Sequence, residues 1–365
     1  MTENVRAMVQ SGPRQMELRE FERPAIGADD ALVRVEACGV CGSDVEQYNG
    51  HLWREGSKPS IPGHEPLGVI EEIGDRAAAR WGVEPGDRVA IEIIIPCHTC
   101  DLCLAGRYQA CRNRRGAHGV TPIEKEPSLW GGFADYIYLH PDSIVHKMRK
   151  DIPADVAVMF NPLGAGFRWA VDYGKTGIGD TVLVLGPGQR GIAAVIASKL
   201  SGAATVIVTG LARDAAKLAL AKEFGADHTI NVEEESTVEK VMDLTGGVGA
   251  DVVLELTPIA SAPVLDAIES VRHGGRVVLA GLKGGKGIEI TTDRLINKAI
   301  TMVGAYGVDA AAYVRAIETI ESGRFPLAKL HTHTFELADT VRAIETLAGE
   351  VEGEEAVHVA VCPKP

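Results

Sequence analysis

The chain has 365 residues, of which 45% are hydrophobic and 24% charged, a composition typical of a globular protein with room for two domains. Its formal net charge of −13 argues against a nucleic-acid partner, because neutralising phosphates requires clustered Lys and Arg. The first segment, MTENVRAMVQSGP, has no apolar run, and no apolar stretch approaches the ~20 residues of a membrane span. We therefore expect a reduced, cytoplasmic protein without a signal peptide or membrane contact.

The first candidate site lies in two segments, ACGVCGSDVEQYNG and IPGHEPLGVIEEIG. Cys41 supplies a soft thiolate, and His64 and Glu65 place an imidazole beside a carboxylate. Either Cys41 or His64 alone would more often be a core residue, but the turn expected before His64 can aim the imidazole and the carboxylate at one point. Together these residues are candidates for a metal site. A catalytic zinc site keeps one position open for water or substrate, and as a Lewis acid its metal stabilises an alkoxide.

Three neighbours of Cys41 complete this interpretation. Asp44 has the right chemistry to hold a liganding imidazole in place by a hydrogen bond. Ser43 offers a hydroxyl that can carry a proton, two residues after the thiolate. Cys38, on the same loop, is interpreted as a small buried hydrophobe without a role in the site.

Four cysteines follow in the stretch CHTCDLCLAGRYQAC, at positions 97, 100, 103 and 111. Disulfides are disfavoured because cytosolic thiols stay reduced and the loops between these cysteines would be very small. The spacing favours a closed structural zinc site on Cys97, Cys100, Cys103 and Cys111. An iron–sulfur cluster is a weaker alternative, because its usual run closes after three residues and a proline, and free thiols are another. Gly106 supplies a turn before the fourth ligand.

The second half begins with DTVLVLGPGQRGIAAVIASKLSGAATVIVTG, which predicts a buried strand, a glycine-rich turn, a helix and a second strand. The turn reads Gly186-Pro187-Gly188-Gln189-Arg190-Gly191, the G-x-G-x-x-G pattern of dinucleotide-binding loops. Its three glycines are expected to allow the tight turn, the approach of the pyrophosphate and close helix packing. The phosphates would lie at the helix N-terminus, where the backbone amides and the helix dipole favour anions.

Further strands and helices alternate after this unit, as in HTINV, DVVLELT, LDAIESV, RVVLAGL and ITMVGAY. This alternation predicts an α/β domain with a doubly wound parallel sheet. The acidic residue that usually ends the second strand and binds the ribose of NAD is absent, because Gly210 stands there. Arg213 can pair with a 2′-phosphate or can be an ordinary solvated residue, so NADP is slightly favoured and NAD stays open.

Taken together, these segments resemble the zinc-dependent medium-chain dehydrogenase/reductase superfamily, the alcohol and polyol dehydrogenases. The resemblance covers essentially the whole chain and rests on GVCGSD, GHEPLGVIEEIG, EPGDRVAIE, the four cysteines, LWGGFADYIYL, GPGQRG and FPLAKLHTHTFEL. It implies a GroES-like, β-rich catalytic domain over residues 1–155, with a structural zinc lobe at about 96–112. A Rossmann domain would span 156–300, and 301–365 would return to complete the catalytic domain.

For the chemistry, the resemblance implies an active site in the cleft between the domains. Cys41 and His64 would hold zinc, and Ser43 would accept the alcohol proton while hydride passes to the nicotinamide. Asn161 is one departure, because relatives often carry Glu, Asp or Cys there. Glu65 then becomes the third protein ligand, with water fourth, or it lies outside the ligand set and zinc binds weakly or not at all.

The second departure is Glu46, where relatives often carry a histidine that relays protons to solvent. Glu46 either relays protons too or is a solvated acid. Four large apolar residues in segments that line the family's cleft favour a hydrophobic or aromatic alcohol, unless they are core residues; these are Leu52, Trp53, Trp130 and Phe160. His51 is a further candidate for the same cleft.

Three functions remain open at this point. The favoured one is a zinc-dependent NAD(P) alcohol dehydrogenase acting on a secondary or bulky alcohol, or reducing the matching ketone. The second is a zinc-free NADPH-dependent reductase of activated double bonds on the same fold, and the third is a zinc-bearing nucleotide-binding protein without turnover. By analogy with the family, a homodimer or homotetramer is expected.

Overall fold

The computed structural model describes residues 4–363. The chain divides into two compact units, each described here separately. The first unit joins Met1–Asn161 to Asp309–Pro365, and the second is the intervening segment Pro162–Val308. The chain therefore leaves the first unit once and returns to it. The junctions lie after residues 161 and 308, whereas the sequence predicted them after 155 and 300.

The first unit is rich in strands. In its N-terminal part the strands are β1 (Asn4–Gly12), β2 (Gln15–Glu22), β3 (Ala31–Val40), β4 (Glu65–Ile73), β5 (Arg88–Ile91), β6 (Ile94–Ile95), β7 (Gly116–Ala117), β8 (Tyr136–Leu139) and β9 (Val145–Met148). The helices are α1 (Gly42–Tyr48), α2 (Asp75–Trp81), α3 (Asp101–Leu104) and α4 (Ala154–Ala157), and α5 (Phe160–Gly166) crosses the first junction. The returning segment adds α11 (Ala310–Glu321), β16 (His331–Phe335), α12 (Thr340–Ala348) and β17 (His358–Val361).

The main sheet of this unit has seven strands in the order β16-β17-β3-β4-β5-β9, with β8 also paired to β3. All of its pairings are antiparallel except β16 with β17. The C-terminal strand β17 runs beside β3, with Val359 opposite Val40 and Val361 opposite Cys38. The returning segment therefore completes the sheet on which the first candidate site stands.

The second unit alternates strands and helices. Its elements are β10 (Thr181–Leu185), α6 (Gln189–Leu200), β11 (Thr205–Gly210), α7 (Ala215–Glu223), β12 (His228–Asn231), α8 (Thr237–Leu244), β13 (Ala250–Glu255), α9 (Ala262–Ser270), β14 (Val271–Leu279), α10 (Thr292–Asn297) and β15 (Thr301–Gly304). A π-helix, Phe167–Tyr173, precedes β10. Among residues 4–363 no helix combines the length and the apolar character needed to cross a bilayer.

The six strands of this unit form one parallel sheet in the order β12-β11-β10-β13-β14-β15. The chain builds outward from β10 to β12 on one side and then from β13 to β15 on the other, which is doubly wound topology. The expected parallel sheet is confirmed. Leu183, Ile207 and Val253 are fully buried in its core, because helices cover both faces of such a sheet and leave no polar face on the central strands.

The strand β17 also carries a buried histidine with a consequence for acid stability. Burial, reinforced by the neighbouring His331, lowers the pKa of His358 to about 3. In the unfolded chain a histidine takes up its proton near pH 6.5, which makes it the better proton acceptor at mildly acidic pH. The free energy of unfolding therefore falls as pH falls from neutral, since the unfolded state binds more protons.

We expect the His358→Gln variant to lose less stability than the parent when the pH falls from 7 to 5. The difference should be about 2 kcal/mol, because the variant has no buried imidazole that the unfolded state can protonate. Tm recorded at both pH values measures it. His228→Gln is the matched control, since His228 is an exposed strand residue, and an equal acid-induced drop in Tm for both variants would contradict the prediction.

Candidate functional site

The thiol of Cys41 is held where β3 ends and α1 begins. Cys41 is the N-cap of α1, with extended backbone angles of φ −105° and ψ 157°. Its Sγ accepts the Ser43 N–H at 3.4 Å, while its own N–H donates to Asp44 Oδ2 at 2.8 Å. These reciprocal bonds form a capping box, so the local sequence that starts the helix also fixes the position of the sulfur.

The imidazole of His64 reaches the same place from the loop before β4. Gly63, just before it, has φ +86°, and a Cβ there would lie 2.7 Å from Phe133 N. Both the backbone conformation and the contact therefore require glycine. His64 Nδ1 donates to Asp44 Oδ1 at 3.1 Å, and this bond directs Nε2 away from Asp44 and towards Ser43 and Glu65. Burial lowers the pKa of His64, but the carboxylate of Asp44 and the contact with Cys41 outweigh it and raise the pKa well above its ordinary value.

The carboxyl group of Glu65 is the third donor. Glu65 opens β4 and is fully buried, and Oε1 lies 4.0 Å from His64 Nε2. Opposite it on β3 stands Gly39, where a Cβ would lie 2.5 Å from Glu65 Oε2. The absence of a side chain at Gly39 therefore makes room for this inward-facing carboxyl group.

The three ligand atoms, one each from Cys41, His64 and Glu65, all lie within 4.8 Å of one another. A thiolate, an imidazole and a carboxylate form a donor set that zinc accepts, and three protein ligands leave a position for substrate or water. Ser43 Oγ lies beside this group, 3.1 Å from Cys41 Sγ and 3.3 Å from His64 Nε2. The residues present thus fit a catalytic zinc ion with a hydroxyl next to it.

Asn161 is fully buried, and its side-chain amide donates to the Tyr313 hydroxyl at 3.0 Å. The arrangement is compatible with Glu65 as the third ligand in place of residue 161. At the other end of α1, Glu46 is buried and its Oε2 lies 2.7 Å from Nδ1 of the exposed His51.

The four cysteines form a second donor set in what we call the cysteine lobe, residues 97–111. Their four close sulfur-to-sulfur distances are 3.5–3.9 Å. Tetrahedral zinc with Zn–S bonds of ~2.3 Å needs about 3.8 Å between sulfurs, so the lobe fits a closed zinc site. A hydrogen bond from the Thr99 backbone lowers the pKa of Cys97 to about 6, and Gly106 makes its turn at φ +71°.

The glycine loop follows β10 in the second unit. Gly186 has φ +109°, and a Cβ at Gly191 would lie 2.0 Å from Gly186 O, so both positions require glycine. Gly188 is the N-cap of α6, and a Cβ there would meet nothing within 4 Å. The loop thus leaves backbone exposed at a helix N-terminus, which fits the pyrophosphate of a dinucleotide. Arg190 lies over the Trp169 ring, 5.2 Å from its centroid.

The remaining residues that the sequence analysis named for the cofactor site and the substrate cleft lie partly on the surface and partly in the core. Pro187 lies against the end of β11, 2.9 Å from where a Cβ of Gly210 would be, and Gln189 is buried. Arg213 is exposed in the 3-10 turn Ala212–Asp214. Trp130 and Phe160 are core residues, as the alternative interpretation held, with 1% and 0% exposure.

Leu52 is 40% exposed in the loop after α1, and Trp53 next to it is partly exposed. Sequence reasoning missed the contact between His51 and Glu46. The spacing of His51, five residues after Glu46, was the available signal for this contact.

Comparison with known proteins places the chain among dehydrogenases. The family model for the alcohol dehydrogenase GroES-like domain matches residues 27–150, and the model for zinc-binding dehydrogenases matches 191–322. A probable alcohol dehydrogenase of Mycobacterium tuberculosis is 46% identical over 98% of both chains. An erythritol/L-threitol dehydrogenase of Mycolicibacterium smegmatis is 35% identical, over 99% of this chain and 98% of its own.

A solved structure supports the same placement. An alcohol dehydrogenase from Thermotoga maritima superposes with a TM-score of 0.86 at 29% identity, covering 99% of this chain and 100% of its own.

Proposed function

Because the chain belongs to the zinc-dependent medium-chain dehydrogenase/reductase superfamily, we propose that Cys41, His64 and Glu65 hold the catalytic zinc of an NAD(P)-dependent alcohol dehydrogenase. The observation that carries this assignment is the convergence of three different donor atoms within 4.8 Å. When bound, zinc supplies Lewis acidity that stabilises negative charge on the alcohol oxygen. Cys97, Cys100, Cys103 and Cys111 are proposed to hold the structural zinc.

Ser43 and Asp44 have distinct roles in this proposal. Ser43 Oγ lies beside both Cys41 Sγ and His64 Nε2, where it can take the proton of the alcohol hydroxyl. Asp44 accepts from His64 Nδ1 and holds the imidazole with Nε2 directed towards the proposed metal site. Asp44 is therefore a positioning residue, whereas Ser43 touches the reacting hydroxyl.

NAD(P)+ supplies the hydride-accepting nicotinamide ring. The glycine loop is proposed to bind its pyrophosphate through the backbone of Gly188 and the N-terminal amides of α6, with Pro187, Gln189 and Arg190 completing the loop. Gly210 and Arg213 are proposed to lie near the adenosine ribose, since they follow the neighbouring strand β11.

Glu46 and His51 are proposed to pass the released proton outward. Glu46 lies on α1 one turn after Ser43, and residues three apart on a helix share a face. Its carboxyl group is buried, but it contacts the exposed imidazole of His51 at 2.7 Å. The pair thus joins a buried acid to a solvent-exposed imidazole.

The substrate proposed is a secondary or bulky hydrophobic alcohol, or the matching ketone. Exposed Leu52 and partly exposed Trp53, in the loop that follows α1, support this class. A small polyol is the second candidate, because a relative 35% identical to this chain is named erythritol/L-threitol dehydrogenase.

The test combines metal analysis with an alcohol panel. The protein, purified without chelators, should contain two zinc ions per chain and reduce NAD(P)+ with secondary aliphatic or benzylic alcohols at higher kcat/KM than with erythritol or threitol. A preference for erythritol would favour the polyol. One zinc ion with turnover of activated double bonds would favour the zinc-free reductase. Absence of turnover with every substrate would favour a nucleotide-binding protein without activity.

A cytoplasmic location and assembly as a homodimer or homotetramer belong to the same proposal, by analogy with the family. Light scattering of the purified protein gives the mass of the assembly directly.

A further inference from the structure

The usual ribose-binding acid is absent at the end of β11, but another carboxylate, that of Asp214, lies nearby. Gly210 ends the strand, and the turn Ala212–Asp214 follows it. A Cβ at Gly210 would lie 2.9 Å from Pro187 Cγ and 3.2 Å from Asp214 Cβ. The side chain of Asp214 therefore stands next to the glycine loop, although Asp214 lies four residues beyond the usual position.

The backbone amides after Gly210 are already occupied by carboxylates. The N–H of Leu211 donates to Asp214 Oδ2 at 3.1 Å, and the N–H of Ala212 donates to Glu233 Oε2 at 2.7 Å. Successive backbone N–H groups in a turn are the usual donors to a phosphate group. Here both are used within the protein, so a phosphate arriving at this turn would find neither amide free.

The two carboxylates at the turn differ in how far their charge is compensated. Lys217 Nζ pairs with Asp214 Oδ1 at 3.1 Å, which offsets that carboxylate. Glu233 has no ion-pair partner among the described residues and is exposed. Arg213 is the opposing feature, because it is exposed and pairs with neither carboxylate. The two carboxylates, unlike Arg213, are held in place by bonds to the backbone.

We propose that Asp214 and Glu233 make this site select NAD(H) over NADP(H), reversing the slight preference for NADP drawn from Gly210 and Arg213. The inference rests on the proposed function only in taking the glycine loop as the dinucleotide site. Each carboxylate keeps lone pairs beyond the one that caps the turn, and these accept hydrogen bonds from ribose hydroxyls. A 2′-phosphate, with a charge of about −1.5 to −2, meets repulsion and no free amide.

Calorimetric titration of the purified enzyme with NAD+ and with NADP+, without an alcohol, tests the selection. NAD+ should bind at least about tenfold more tightly, because a 2′-phosphate meets the carboxylate of Glu233, unpaired within residues 4–363, and finds both turn amides occupied. The difference should shrink as salt is raised, because exposed charges are screened. Equal or tighter binding of NADP+ would overturn the proposal.

Variants that remove the carboxylate charges test whether Asp214 and Glu233 cause the preference for NAD+. The double variant Asp214→Asn, Glu233→Gln keeps an oxygen acceptor for each amide and should bind NADP+ about tenfold more tightly than the parent does. Glu234→Gln, which removes an exposed acid next in sequence, is the control and should leave the NAD+/NADP+ ratio unchanged. An unchanged ratio in the double variant, or an equal shift in the control, would contradict a role for these two residues.

Measuring both dinucleotide binding and alcohol turnover distinguishes failure of this inference from failure of the proposed function on which it rests. NAD+ selection without oxidation of any alcohol would support the ribose contacts and count against the dehydrogenase proposal. Failure of both dinucleotides to bind would refute both.

Discussion

The variant His64→Ala should lose alcohol oxidation by about 10⁴-fold in kcat, because the loss of one of three donors removes several kcal/mol of stabilisation at the reacting oxygen. The fold should persist, since His64 lies in a loop before β4 and the sheet pairing begins at Glu65. Steady-state rates, zinc analysis and circular dichroism measure the three properties. We expect one zinc ion per chain in place of two.

Cys97→Ala gives the opposite pattern and serves as the matched metal-site control. It opens the four-sulfur set proposed to hold the structural zinc, and a closed zinc shell would contribute folding energy and leave no position for substrate. Tm should fall, and the kcat of the protein that remains folded should stay near the parent value. A His64→Ala enzyme with near-normal kcat would show that the metal site proposed at Cys41, His64 and Glu65 is not the active site.

The variant Gly188→Val should abolish dinucleotide binding while leaving Tm near that of the parent. A Cβ at Gly188 meets nothing within 4 Å, and its backbone angles of φ −66° and ψ 177° are open to any residue. The fold should therefore tolerate the side chain, which would stand where the pyrophosphate is proposed to approach the backbone. We expect affinity for NAD+ to fall at least about 100-fold, measured by calorimetry.

Gly191→Val provides the contrast within the same loop. A Cβ at Gly191 would lie 2.0 Å from Gly186 O, so the helix would have to move away from the turn. This variant should lose thermal stability as well as binding. Tight binding of NAD+ by Gly188→Val would remove the glycine loop from the cofactor site.

Much of the second unit was predictable from sequence because its signals are local. Runs such as TVLVL and TVIVTG are apolar over a whole strand, and the structure places both in the parallel sheet. The positions of Gly186 and Gly191 were also readable, since a conformation with positive φ or a close backbone approach leaves no choice of residue. The ion pair and the hydrogen bonds at the end of β11 could not be predicted from such local signals.

The sequence by itself determined the types of donor and their order along the chain, including Cys41, the pair His64 and Glu65, and the four cysteines. Only the tertiary structure decided that Cys41, His64 and Glu65 converge within 4.8 Å, because the register of β3 against β4 sets Gly39 opposite Glu65. Likewise, only folding brought Glu233 to the amide of Ala212, 21 residues away. Such contacts depend on how separate strands and turns pack, and no periodicity within either segment encodes them.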